Sequence, residues 1–152
     1  MPTNGVRVLI VDNDERLLVS IRAASAKYYP NTIQVPGGTV EETEDSKDAA
    51  VRETFEETGL VLDRDALIPL CSLPGVRNGD NETPYIRFSY LYRWPLAEAP
   101  NAELLEPDKN TPWIMQPLKI LMNEKGTIVP GLIPGLIEAL NAYRSMRSNV
   151  MK

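Results

Sequence analysis

Between Gly38 and Leu60 the chain reads GTVEETEDSKDAAVRETFEETGL, and no other run constrains the fold as much. Its second half has the period of a helix bounded at both ends. Asp45 or Ser46 suits the N-cap, Asp48 is favourable in the first turn, and Gly59 suits the left-handed residue that ends the helix. At about 100° per residue, Glu53, Glu56 and Glu57 fall within an arc of roughly 100°, and Val51 and Phe55 point the opposite way. Three carboxylates on one helical face repel each other. A hard divalent cation with oxygen ligands is the natural partner for such a face. A merely solvated acidic helix would explain the charges, but it leaves the flanking glycines and Arg52 as accidents.

The rest of the composition narrows the chemistry. At 152 residues the expectation is one domain, 1–152, with a real core. A formal charge of −5 argues against binding a nucleic-acid polymer. It does not argue against a small phosphorylated substrate, because a metal neutralises the site locally. With no histidine in the chain, Ser-His triads and His-ligated zinc are excluded, and acid–base work falls to carboxylates. No apolar stretch approaches a membrane span, and MPTNGVRVLI does not read as a secretory signal. The single cysteine, Cys71, fits a reducing compartment, and a cytoplasmic location is expected. It reads as a buried small hydrophobe, not a nucleophile.

Along the chain, Val6–Val11 and Leu17–Ile21 flank Asp12-Asn13-Asp14 and read as a β-hairpin. Val6–Val11 is apolar throughout apart from Arg7. Thr32–Val35 reads as a short strand ending at Pro36-Gly37-Gly38, where the glycines allow positive φ and close backbone approach. Leu67–Leu73 is expected as a strand stopping before Pro74, and Arg77–Pro84 as a polar loop. Tyr85–Trp94 alternates as a strand should. Pro95–Thr111 reads as a long loop, Trp113–Met115 as a strand and Pro117–Met122 as a short helix. Pro134–Met146 reads as an amphipathic helix with Leu136, Ile137, Leu140 and Tyr143 on one face, followed by a frayed end from Arg147. This order suggests a mixed sheet between helices.

The spacing of Gly38, Glu44, Arg52, Glu53, Glu56, Glu57, Gly59 and Leu60 resembles the Nudix box, G-x5-E-x7-R-E-U-x-E-E-x-G-U, with U a bulky aliphatic residue. Only Thr54 departs from it, at the first U, where its hydroxyl predicts looser packing. The resemblance implies an α/β fold, an α/β/α sandwich with a mixed central β-sheet. It implies a Mg²⁺-dependent hydrolase of a pyrophosphate linkage, with Mn²⁺ as substitute. Glu53, Glu56 and Glu57 are the expected ligands, joined by a backbone carbonyl of Gly37 or Gly38. One turn from Glu56, Arg52 is expected to hold it in a fork hydrogen bond and orient the carboxylates. Glu53 is the first choice for general base, and Glu44 is expected to support the loop or the outer metal shell. Together Arg52, Glu53, Glu56 and Glu57 form the expected catalytic set.

A further acidic ligand is expected from Glu98, Glu103, Glu106 or Asp108. The segment EPDKNTPWIMQPLKIL resembles the branch of nucleoside-triphosphate-cleaning enzymes, which favours Glu106 and then Asp108. Tyr28, Tyr29, Phe88, Tyr90 and Trp113 could stack a base, and Asn31 or Asn123 could read its edge. The reading is a pyrophosphohydrolase that converts a nucleoside triphosphate, a damaged or non-standard one included, to a monophosphate and pyrophosphate. The alternatives are an ADP-ribose or nucleotide-sugar pyrophosphatase and a non-catalytic nucleotide-binding module. The oligomeric state stays open, a homodimer included.

Overall fold

The computed structural model describes residues 3–27, 29–70, 73–77, 80–121 and 132–150. Tyr28, Cys71 and Asn123 lie outside the described residues. The elements are β1 (Thr3–Val11), β2 (Arg16–Ile21), β3 (Ile33–Gln34), β4 (Gly37–Thr39), α1 (Ser46–Thr58), a 3-10 turn (Arg64–Ala66), β5 (Ile68–Pro69), β6 (Leu73–Arg77), β7 (Asp80–Arg93), β8 (Ile114–Pro117), α2 (Leu118–Leu121) and α3 (Leu132–Val150).

β1 organises the sheet. It runs parallel to β7, from Thr3↔Tyr85 to Val11↔Arg93, and antiparallel to β2 at Val11↔Leu17 and to β4 at Gly5↔Thr39 through Arg7↔Gly37. The sheet is therefore mixed. Because successive side chains on a strand alternate faces, β1 feeds two cores. Val6, Val8 and Ile10 join Leu18, Tyr90, Tyr92 and Trp113 beneath Ala49 and Ala50 of α1. Leu9 and Val11 join Leu17, Val19 and Leu91 beneath Leu132, Leu136, Ala139, Leu140 and Tyr143 of α3. With α1 on one face and α3 on the other, the architecture is the three-layer α/β/α sandwich expected from the sequence.

The hairpin and the two long helices lie where the sequence puts them, and three details differ. First, Gly37 and Gly38 do not end a strand; they form β4. Among the described glycines only Gly59 has positive φ, at 76°, so what these two provide is close approach. A Cβ on Gly37 would sit 2.2 Å from the carbonyl oxygen of Val6. Second, β6 continues through Pro74 and Gly75, paired to β7 at Pro74↔Ile86 and Gly75↔Tyr85, and β7 begins at Asp80. Among the described residues β6 pairs only with β7, an edge position where proline is tolerated. Third, α3 extends to Val150 and turns Ile137 outward at 49% exposure. Phe55 is 53% exposed, because α1 packs through Ala49, Ala50, Thr54 and Thr58. These small side chains bring the helix axis close to the sheet and with it the flanking carboxylates.

The chain from β3 to β4 steps from β2 onto β1: Ile33 pairs with Ile21 and Gly37 with Arg7. The long loop after β7 returns to this place. Glu103 N–H donates to Thr58 O at 2.8 Å, Ala23 N–H to Lys109 O at 2.8 Å and Thr111 N–H to Ile21 O at 3.0 Å. The end of that loop is thereby pinned to the ends of β2 and α1.

Candidate active site

α1 is capped at both ends. The Asp45 side chain accepts from Asp48 N–H, and Gly59 N–H donates to Phe55 O. The Ser46 hydroxyl shares a short hydrogen bond with the Tyr90 hydroxyl, which fixes the start of the helix to β7. Near its other end, Trp113 Nε1–H donates to the backbone oxygen of Glu57 at 3.2 Å. Tyr90 and Trp113 are thus buried supports of α1, and Phe88 packs against the same cluster. Sequence offers these three as base-stacking candidates; the fold packs them in the cluster under α1, and none is among the described residues that border the acidic cleft. Tyr29 and Asn31 take positive φ, 49° and 60°, in the turn before β3.

The cleft has a volume of about 430 Å³. Glu53 and Glu57 of α1 form one wall, Gly37, Gly38 and Thr39 the floor, and Glu106, Asp108 and Lys109 the facing loop. Of the four loop acids, Glu106 and Asp108 are brought to the cleft, while Glu98 and Glu103 are exposed elsewhere and do not border it. Glu56 is 52% exposed and stands beside Glu53, the two sharing Arg52 Nη1, without lining the cleft itself.

Arg52 ties the acidic cluster together, with a different partner in its fork. Nε donates to Glu44 Oε2 at 3.1 Å and Nη2 to Glu44 Oε1 at 2.5 Å. The forked edge therefore grips Glu44, not Glu56. Nη1 is left between Glu53 Oε1 at 3.0 Å and Glu56 Oε2 at 3.2 Å, and Nη2 also reaches Thr39 O at 2.9 Å. The hydrogen bond from Arg52 holds the Glu44 carboxyl below its ordinary value. In turn, that bond holds the Arg52 guanidinium firmly protonated.

Deeper in, charge balance runs the other way. Glu57 is pushed up to about 8, first by burial and then by the charges of Glu53 and Glu106, against a hydrogen bond from Gly37 N–H. Glu53 is also raised, chiefly by burial, with Arg52 opposing. On the facing loop, Lys109 Nζ lies 2.6 Å from Glu106 Oε2, and this contact raises the Lys109 ammonium. Desolvated carboxylates that crowd each other in a cleft favour a bound cation.

The donor set is thus all hard oxygen, which fits Mg²⁺ or Mn²⁺. Gly38 is the cradle that makes room for it, since a Cβ there would fall 2.3 Å from the Glu53 carboxyl carbon. Among the described residues no three acidic side chains already converge on one point. Each carboxylate instead has a resident partner: Gly37 N–H for Glu57, Arg52 for Glu53 and Lys109 for Glu106. Cation binding therefore requires these partners to be exchanged. The basic lining of the cleft, Arg22, Lys27 and Lys109, is not foreseen by the sequence reading. Its only sequence signal is proximity to turns on either side of the cleft.

Comparison with known proteins bears on the family and the fold. The m7GpppN-mRNA hydrolase NUDT17 of Danio rerio is 44% identical over 63 residues, which make up 41% of this chain and 21% of the relative. The matched segment thus spans about a fifth of that curated protein. A MutT NUDIX hydrolase structure from Burkholderia pseudomallei superposes with a TM-score of 0.64 at 27% identity, covering 78% of this chain and 85% of that one. A bifunctional NMN adenylyltransferase/ADP ribose pyrophosphatase from Francisella tularensis, in complex with AMP and a manganese ion, gives a TM-score of 0.64 at 22% identity over 85% of this chain and 38% of its own. A family model described as the NUDIX domain matches residues 1–128, and the chain belongs to that family.

Proposed function

We propose that this chain is a divalent-cation-dependent hydrolase that cleaves a pyrophosphate linkage in a nucleoside triphosphate, giving a nucleoside monophosphate and pyrophosphate. The observation that carries the reading is the cleft that Glu53, Glu57 and Glu106 line around the side-chain-free floor of Gly37 and Gly38. Glu53, Glu56, Glu57, Glu106 and a carbonyl of Gly37 or Gly38 would hold Mg²⁺, with Mn²⁺ substituting. Bound there, the cation would neutralise the phosphate chain and stabilise the pyrophosphate leaving group.

The chain's own groups then divide the work. Arg52 is a positioning residue: one guanidinium fixes Glu53, Glu56 and the Glu44 loop together. Glu53 takes a proton from the attacking water on Oε2, the oxygen that Arg52 does not hold. Glu57 anchors β4 to α1 through Gly37 N–H. Arg22, Lys27 and Lys109, across the cleft, pair with phosphate oxygens.

Incubation with Mg²⁺ and a panel of nucleoside triphosphates, ADP-ribose and nucleotide sugars, with products resolved by chromatography, tests this. The expected products are a nucleoside monophosphate and pyrophosphate, with activity lost in excess chelator. Primary release of orthophosphate and a diphosphate would rule the reading out. A monophosphate and a sugar phosphate from ADP-ribose would move the assignment to the diphosphate-linked substrates. Tight cation-dependent binding without turnover would make the chain a binding module.

A further inference from the structure

On the other side of β4 from Glu53, the face of the sheet covered by α3 carries a second, smaller pocket. Strand alternation puts Arg7 on the same face as Leu9 and Val11, and Arg87 on the same face as Leu91. The parallel register sets Gly5 opposite Arg87 and Arg7 opposite Ser89, so the two arginines are diagonal neighbours. Arg22, from the end of β2, completes the set and donates to Gln34 Oε1 at 2.8 Å. Arg7, Arg22 and Arg87 border a volume of about 140 Å³, and among the described residues that line it there is no carboxylate. Arg7 is only 8% exposed. These arginines hold contacts of their own; what distinguishes the pocket is three cations around one small volume in a chain of net charge −5.

We propose that this pocket is a phosphate subsite that takes a phosphate group of the substrate beyond the two that flank the scissile bond. Guanidinium forks match phosphate oxygens in pairs. The volume is below the roughly 300 Å³ at which pockets begin to enclose a whole small molecule, so it suits a single phosphate. Arg22, Gln34, Gly37 and Gly38 border both this pocket and the carboxylate cleft. The two sites meet at a floor without side chains, so one polyphosphate chain can reach both. The substrate class follows: a nucleoside triphosphate fills both sites, whereas ADP-ribose or a nucleotide sugar, with two phosphates, leaves this one empty. The substrate assignment rests on the hydrolase reading above; the subsite itself does not.

The test begins with the full chain in chelator, titrated calorimetrically with inorganic phosphate and, separately, with adenosine. Phosphate should bind, more weakly as salt rises, and adenosine should not displace it. Arg87→Gln and Arg7→Gln should each weaken phosphate binding about tenfold or more, with Arg87→Lys in between. Arg144→Gln, an equal change of charge at the exposed partner of Glu15, should leave it unaltered. If buried Arg7→Gln fails to fold, Arg87→Gln and Arg22→Gln carry the test. With Mg²⁺ and a nucleoside triphosphate, Arg87→Gln should raise KM about tenfold with kcat nearly unchanged. Phosphate binding indifferent to Arg87 and Arg22, or weakened equally by Arg144→Gln, overturns the subsite even in an active hydrolase. Arginine-dependent phosphate binding without any turnover leaves the subsite standing and removes the hydrolase reading.

Discussion

The backbone N–H of Gly37 donates to Oε1 of Glu57 at 3.2 Å, so the floor of the cleft and the acidic wall of α1 are tied by one hydrogen bond. The two adjacent glycines make room for this contact in different ways. On Gly37 a Cβ meets backbone, the Val6 oxygen at 2.2 Å; on Gly38 it meets the flexible end of Glu53. Gly37→Ala should therefore lower stability by about 1–3 kcal/mol or prevent folding. Gly38→Ala should fold with near-normal stability and lose cation affinity and turnover, because Glu53 moves instead of the strand. Urea titrations beside cation titrations separate the two. Equal destabilisation by both variants would show that the cradle is not specific to Glu53.

Glu57 also links stability to pH. It binds its proton more tightly in the fold, at about 8, than at its ordinary 4.5. Its contribution to stability is fully present below about 4.5 and is lost as pH rises through about 8. In chelator the unfolding temperature should therefore fall between pH 5 and pH 9. A saturating divalent cation should reverse the fall, since cations compete with protons for the carboxylate. Glu57→Gln should flatten the profile in chelator and reduce turnover by roughly 10²–10⁴-fold in Mg²⁺. A wild-type melting profile that rises across this window would mean that Glu57 is not held desolvated.

What the sequence told and what it hid follow from locality. The helix caps, Gly59 and the crowding of Glu53, Glu56 and Glu57 depend on near neighbours and are readable from spacing. Which face of a strand is covered, and by what, is not. Tyr90 and Trp113 looked available for a base, yet α1 lies on that face and uses both as supports. Arg7 and Arg87 stood in the sequence as charges interrupting apolar strands. Only the parallel pairing of β1 with β7, more than seventy residues apart by the Gly5↔Arg87 register, brings them together. β4 was hidden for a similar reason: two glycines carry no strand preference, and their pairing is imposed by β1.

Thr54 is the one departure from the Nudix spacing, and it is fully buried. Its carbonyl accepts from the Thr58 hydroxyl at 2.6 Å. Its own Oγ1 has no hydrogen-bond partner among the described residues. A buried hydroxyl in that state costs about 1–3 kcal/mol. Thr54→Val keeps the branched shape and removes the unmet donor and acceptor, so it should raise stability by about 1 kcal/mol without altering kcat. Loss of stability in denaturant titrations would show that a partner satisfies the hydroxyl.

The loop acids give the sharpest test of how the site is completed. Glu106 and Asp108 border the cleft, and Glu98 and Glu103 do not. The Glu106 carboxylate is held by Lys109 at 2.6 Å, a cation that must give way when a metal arrives. Glu106→Gln should raise the Mg²⁺ concentration for half-activation at least about tenfold, and Mn²⁺ binding followed by electron paramagnetic resonance should weaken in parallel. Glu98→Gln and Glu103→Gln should leave both readouts unchanged, because their charges are exposed outside the cleft. Lys109→Gln should act in the opposite sense on the metal. Removing the competing ammonium should tighten Mn²⁺ binding while KM for the substrate rises, since a phosphate partner is lost with it. Weaker Mn²⁺ binding in Lys109→Gln would show that the lysine orients Glu106 for the cation and does not compete with it. Unchanged binding in Glu106→Gln would remove this loop from the metal site.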